Sequence, residues 1–185
     1  MNRLLIPAFA LCAATASAQT RPDFSGRWTS EPEASAATGR GGGTGRGARG
    51  GGGRGRSGDM GSGWGTTITI TQDATRFTVE YAFFGRGDMQ PPLRFAYTLD
   101  GSQTLNTVMM GRGTQAQRSR TAWKADTLVI TTVHTFPHPE TGQPTPTEVT
   151  QAVSLESPTS LVVQATRAGV LGGPASTTRT VYRRL

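Results

Sequence analysis

Cysteine is nearly missing from this chain: 185 residues contain one, Cys12. One thiol cannot pair within its own chain, so a disulfide scaffold is excluded. Lysine is almost as rare, with Lys124 alone against 18 Arg, so the net charge of +7 rests on guanidinium groups. Aromatic residues make up only 7% of the chain and there are only two His. No apolar run approaches the roughly 18–20 residues of a membrane-crossing helix, which excludes an integral membrane protein of the helical kind. An outer-membrane barrel fits poorly as well. Gln117-Arg118-Ser119-Arg120-Thr121 puts polar groups on both faces of a strand, and a lipid-facing Arg costs about 2–4 kcal/mol near the midplane.

What is present begins with a leader. Arg3 supplies a positive start, Leu4 to Ala14 an apolar stretch, and Ala16-Ser17-Ala18 an A-x-A cleavage site. Together they read as a secretory signal peptide over residues 1–18. The expected location is therefore secreted or periplasmic, after cleavage near Ala18. Leu11 before Cys12 argues against a lipid anchor, and cleavage removes the only thiol. The mature chain then has no Cys-based nucleophile, zinc site or disulfide.

Residues 19–38 carry the first strand, and residues 39–65 differ sharply from everything around them. Of those 27 positions 15 are Gly. Such a tract buries no apolar area and loses the most backbone entropy on ordering, so it is expected to be a disordered loop. Its arginines, Arg40, Arg46, Arg49, Arg54 and Arg56, form a candidate polyanion contact. Nucleic-acid tracts interleave aromatics for base stacking, and here none precedes Trp64, so specific nucleic-acid binding is not expected. Salt-sensitive attraction to anionic envelope glycans or lipids is the reading that remains.

Residues 66–185 read as strands. Phe77, Val79, Tyr81 and Phe83 fall on one face, as do Leu93, Phe95, Tyr97 and Leu99, with the period of two of a half-buried strand. Residues 127–136 and 177–183 are rich in β-branched side chains, which strands favour. Turn signals at Asp73, Asp100-Gly101, Ala125-Asp126 and Ser157-Pro158 separate strands at a spacing of about 8–12 residues. The pattern predicts one all-β domain of about nine or ten strands, an antiparallel up-and-down β-barrel or, alternatively, a β-sandwich.

The mature chain opens Asp23-Phe24-Ser25-Gly26-Arg27-Trp28. With Thr69 to Asp73, Leu99 to Ser102, Trp123 to Thr131 and Val181 to Arg184, this resembles the lipocalin-like (calycin-type) β-barrels, in particular small exported bacterial proteins that begin DFSGxW. The resemblance implies an up-and-down barrel of about 8–10 strands. It also implies a floor closed by Gly26 and Trp28, with a last-strand arginine, Arg183 (or Arg179), stacked on the indole.

Catalytic signals are sparse. His134 and His138 with Glu140 span too short and too proline-broken a stretch for a metal site. There is no Gly-x-Ser-x-Gly elbow, phosphate loop or nucleophile–base pair, and no cofactor is indicated. Arg86-Gly87-Asp88 is a chance tripeptide in an Arg- and Gly-rich chain. Two non-enzymatic functions stay open. One is binding of a small apolar or amphiphilic ligand inside the barrel, at Tyr81, Phe83, Phe95, Tyr97 and His134. The other is a structural or interaction role carried by the cationic tract.

Overall fold

The computed structural model describes residues 21–32, 36–38, 62–81, 92–110, 113–137, 141–168 and 175–185. Residues 1–18, Phe83 and Arg40, Arg46, Arg49, Arg54 and Arg56 lie outside the described residues, as does the Arg86–Asp88 tripeptide. Eleven strands follow in order: β1 (Gly26–Ser30), β2 (Ala36–Thr38), β3 (Thr67–Gln72), β4 (Arg76–Tyr81), β5 (Leu93–Thr98), β6 (Thr104–Met110), β7 (Gly113–Lys124), β8 (Thr127–Pro137), β9 (Pro144–Ser157), β10 (Ser160–Arg167) and β11 (Ser176–Arg184). No helix occurs among the described residues.

All strands belong to one antiparallel sheet. Ten run in the order β5-β4-β3-β1-β11-β10-β9-β8-β7-β6, and β2 pairs with β11 farther along from β1. Every neighbour but β1 and β11 is next to its sequence neighbour or separated from it only by the short β2, so the chain winds up and down as the pattern of strands and turns predicts. One continuous sheet of ten strands, curled into a nearly closed barrel, replaces the sandwich alternative.

Short polar turns fix the hairpins at one end. The Asp73 carboxylate accepts the amides of Thr75 (2.7 Å) and Arg76 (2.8 Å) between β3 and β4. Asp100 accepts the Ser102 amide at 2.9 Å. Hydrogen bonds from the Thr75 amide and hydroxyl to Asp73, and from the Ser102 hydroxyl and amide to Asp100, hold both carboxyls below the usual carboxylate range. Ala125, with φ of 51°, turns β7 into β8.

The residues before β1 cross beneath the barrel at this same end. Phe24 is fully buried there, and the Gln72 side chain clamps the crossing. It accepts the Phe24 amide at 3.2 Å and donates to the Pro22 carbonyl at 2.9 Å. Inside, the alternating positions of β3, β4, β5, β8, β9 and β10 meet in one apolar core that includes Ile68, Phe77, Val79, Tyr97, Leu128, Ile130, Val153 and Leu161.

The two terminal strands of the sheet, β5 and β6, meet without a ladder. The Asn106 carboxamide takes its place: it accepts the Ala96 amide at 2.8 Å and donates to the Ala96 carbonyl at 3.0 Å. One side chain thus does for Ala96 what a paired residue does elsewhere. Thr121 adds a hydroxyl donated to the Thr98 carbonyl at 2.5 Å.

Candidate functional site

The floor of the barrel is built on Trp28, which is fully buried and donates its indole N–H to the Phe24 carbonyl at 3.0 Å. A guanidinium does lie over its ring, but it is that of Arg184, 4.5 Å from the centroid. Arg183, the expected partner, is not there. The register explains the correction: Trp28 faces Arg184 across the β1–β11 ladder, while Thr29 faces Arg183. Neighbouring residues of a strand point to opposite faces, so Arg183 emerges outside, 2.5 Å from Glu31. Arg179, the other arginine the resemblance offered, pairs instead with Glu156. Gly26 has φ of +145°, and a Cβ there would stand 3.1 Å from the Arg184 guanidinium. Its place in the floor is therefore clearance for that stack. Beside it, Trp123 is stacked on Phe24 (centroids 5.9 Å, 9° between planes), with Arg21 5.2 Å from its centroid.

Above the floor, the interior holds a feature that composition alone did not foresee. Residues 62–65 come at the end of the Gly-rich tract, yet Ser62 and Trp64 are 3% and 2% exposed. Those two side chains are tucked into the barrel, whereas Gly63 and Gly65 are exposed. Gln151 on β9 donates to the Ser62 carbonyl at 2.5 Å. Tyr81 on β4 donates to the Gly63 carbonyl at 3.1 Å, and Tyr182 on β11 to the Gly65 carbonyl at 2.8 Å. Because the Tyr182 proton is spent on Gly65, the short contact between the Ser62 and Tyr182 hydroxyls has Ser62 as donor. The Ser62 oxygen in turn accepts the Trp64 amide at 3.2 Å. The Trp64 ring lies 6.1 Å from Phe77 and its side chain hydrogen-bonds to Tyr97. Gly63 and Gly65 both adopt positive φ, 86° and 78°, a region that side-chain-bearing residues rarely enter.

Of the expected ligand-binding residues, Tyr81, Phe95 and Tyr97 are brought together. Tyr81 and Phe95 stack at 5.9 Å with 4° between their planes, and Tyr97 lies 6.2 Å from Phe77. Phe83 lies outside the described residues. His134 belongs to a separate group on β8: its Nδ1 is 3.2 Å from the Gln117 amide nitrogen, and it faces Thr147 across the β8–β9 ladder. Burial lowers the His134 pKa, and the Arg167 charge lowers it further. Sequence reasoning missed Gln151, Tyr182, Ser62 and Trp64. The signal for the last two was available, as a bulky ring between two glycines at the boundary of a tract otherwise poor in aromatics.

Burial raises the pKa of all three phenols, Tyr81, Tyr97 and Tyr182, the last pushed up to about 12. They stay protonated at neutral pH; Tyr81 and Tyr182 donate to carbonyls, whereas Tyr97 accepts from the Trp64 indole N–H. The chemistry on offer is recognition of carbonyl or hydroxyl acceptors within an aromatic wall. Among the described residues no group of three His, Cys, Asp or Glu stands ready for a metal ion. Two hollows lie outside the barrel at the floor end. One of about 650 Å³ is lined by Asp23, Leu155, Pro158 and Arg184, and one of about 250 Å³ by Arg21, Asp73, Leu99 and Trp123.

Comparison with protein-family models gives no match, and comparison with curated proteins gives none.

Proposed function

We propose that this chain is an exported, non-enzymatic, lipocalin-like binding protein that takes a small amphiphilic molecule inside its barrel. The observation that carries this reading is the convergence of Gln151, Tyr81 and Tyr182 on the carbonyls of one short segment, whose Trp64 packs into the aromatic core of Phe77, Phe95 and Tyr97. Small-molecule sites have this composition, mostly apolar and aromatic with a few polar groups that fix orientation. Ser62–Gly65 holds the site, so a ligand enters by displacing it. The signal-peptide pattern over residues 1–18 supports a location in the periplasm or outside the cell.

Titration with a lipophilic fluorescent probe, competed by envelope lipids, tests this. Saturable uptake is expected, strengthened in Trp64→Ala because the resident segment is loosened, and weakened in Tyr97→Ala. If the wild type and Trp64→Ala are both folded and neither takes up probe, the barrel is a filled core. A second reading then stands, favoured by how completely the chain's own residues occupy the interior: a structural or interaction protein whose basic tract contacts anionic glycans or lipids. Its sign would be binding to such polymers that fades at high salt.

A further inference from the structure

We propose that the barrel site is fitted to a short bent peptide carrying an aromatic residue between two glycines, and that Ser62–Gly65 is its resident occupant, held in cis. The proposal rests on the barrel-binding reading above and names the class of ligand.

The manner in which the segment is held carries the argument. Most backbone groups pair with other backbone, and fewer with side chains. Here three backbone carbonyls within four residues, those of Ser62, Gly63 and Gly65, are each met by a side-chain donor. The donors come from three different strands: Gln151 on β9, Tyr81 on β4 and Tyr182 on β11. That is how a protein reads the backbone of a bound peptide. All three donors are carried by strands rather than loops.

The rest of the site reads the sequence of the occupant. The indole of Trp64 lies against Phe77 and is hydrogen-bonded to Tyr97, which selects an aromatic side chain with a polar atom. On either side the backbone has positive φ, and a Cβ on Gly65 would come within 3.3 Å of the Tyr81 ring. Only glycine enters that conformation without strain. The recognised pattern is therefore glycine–aromatic–glycine. Tethering gives the resident segment a high effective concentration, so a second peptide of the same kind competes at a disadvantage until the resident is weakened.

The experiment uses the full-length chain with Trp64→Ala and the blocked peptide Ser-Gly-Trp-Gly-Thr, the sequence of residues 62–66. The peptide is expected to bind Trp64→Ala saturably and to raise its unfolding temperature, with at least about tenfold weaker binding to the wild type, as expected for an occupied site. Replacing the peptide's tryptophan by alanine should abolish binding, and adding Gln151→Ala to the protein should weaken it several-fold. Sedimentation of the complex as one chain with one peptide identifies the peptide as the occupant, whereas a two-chain species identifies the segment of a second copy in the same site. Folded Trp64→Ala that ignores the peptide but takes up the lipophilic probe overturns the peptide class and leaves the barrel reading standing. If it takes up neither, both fall. Where Trp64→Ala does not fold alone, the peptide must restore its near-ultraviolet dichroism, and failure to do so overturns the proposal.

Discussion

Two tryptophans and one histidine show how much a single residue's surroundings decide. Trp28 and Trp64 are both buried, one in the floor and one amid the interior aromatics. Truncating either to alanine should cost about 3–5 kcal/mol, as for large aromatic side chains removed from a core. Denaturant unfolding of the two variants should therefore give similar losses, and a negligible loss in Trp64→Ala would mean the segment is not packed in solution. The position of Trp28 was legible from Gly26-Arg27-Trp28 on a first strand. The burial of Trp64 was not, because the glycines around it lower the apolar content of any window that includes it. His134 has a pKa lowered by burial and by Arg167. The unfolded chain, with an ordinary histidine pKa near 6.5, then binds the proton first as pH falls, so stability drops below about pH 6.5. Carboxylates that titrate below this window do not share in the effect. Thermal unfolding between pH 7 and pH 5 should show a shallower decline in His134→Gln than in the wild type, and parallel curves would remove His134 as the cause.

At the scale of elements, the alternation of β4 and β5 and the turns at Asp73 and Asp100 are where sequence and structure agree most closely. Period-two burial is a local property, and so is an aspartate that caps its own turn. Register between distant strands is not local. That is why Arg184, and not Arg183, lies over Trp28: a shift of one residue exchanges the two faces, and no local feature of β11 says which residue of β1 it meets. The β5–β6 seam was equally hidden, since it depends on one asparagine among threonines. Asn106→Leu keeps the bulk of the side chain and removes both bonds to Ala96. It should cost about 1–3 kcal/mol, the usual penalty for leaving partly buried backbone groups unmet, and amide exchange at Ala96 should accelerate. Unchanged exchange there would show that β5 and β6 pair through their backbones in solution.

For the molecule as a whole, an all-β barrel followed from the chain of short alternating strands, whereas the contents of the barrel did not. Inward-facing tyrosines look alike in sequence whether they await a ligand or hold part of their own chain; only three-dimensional closure distinguishes the two. The boundary of the Gly-rich tract matters for the same reason. Replacing residues 40–60 by a short flexible linker should alter stability by about 1 kcal/mol or less, because closure entropy changes slowly with loop length. Extending the deletion through Gly65 should cost several times more, since it removes Trp64 and leaves the Gln151, Tyr81 and Tyr182 donors without acceptors. Scanning calorimetry of the two variants measures the difference, and equal melting temperatures would contradict it.

The position of β1 between β3 and β11 also sets a timetable. Trp28 and Arg184 are direct partners although almost the whole chain separates them. A ribosome or a translocation pore delivers β1 first and β11 last, so β1 must wait, one edge open, until every other strand has emerged. Closing so long a loop before any reward is collected is slow, and folding in milliseconds to seconds is the regime for such non-local pairings. During that interval the open edges of β1 and β10 are templates for pairing with other chains. Whatever accompanies the nascent barrel has to shield those two edges above all, and a chain interrupted before Ser176 would keep them exposed indefinitely.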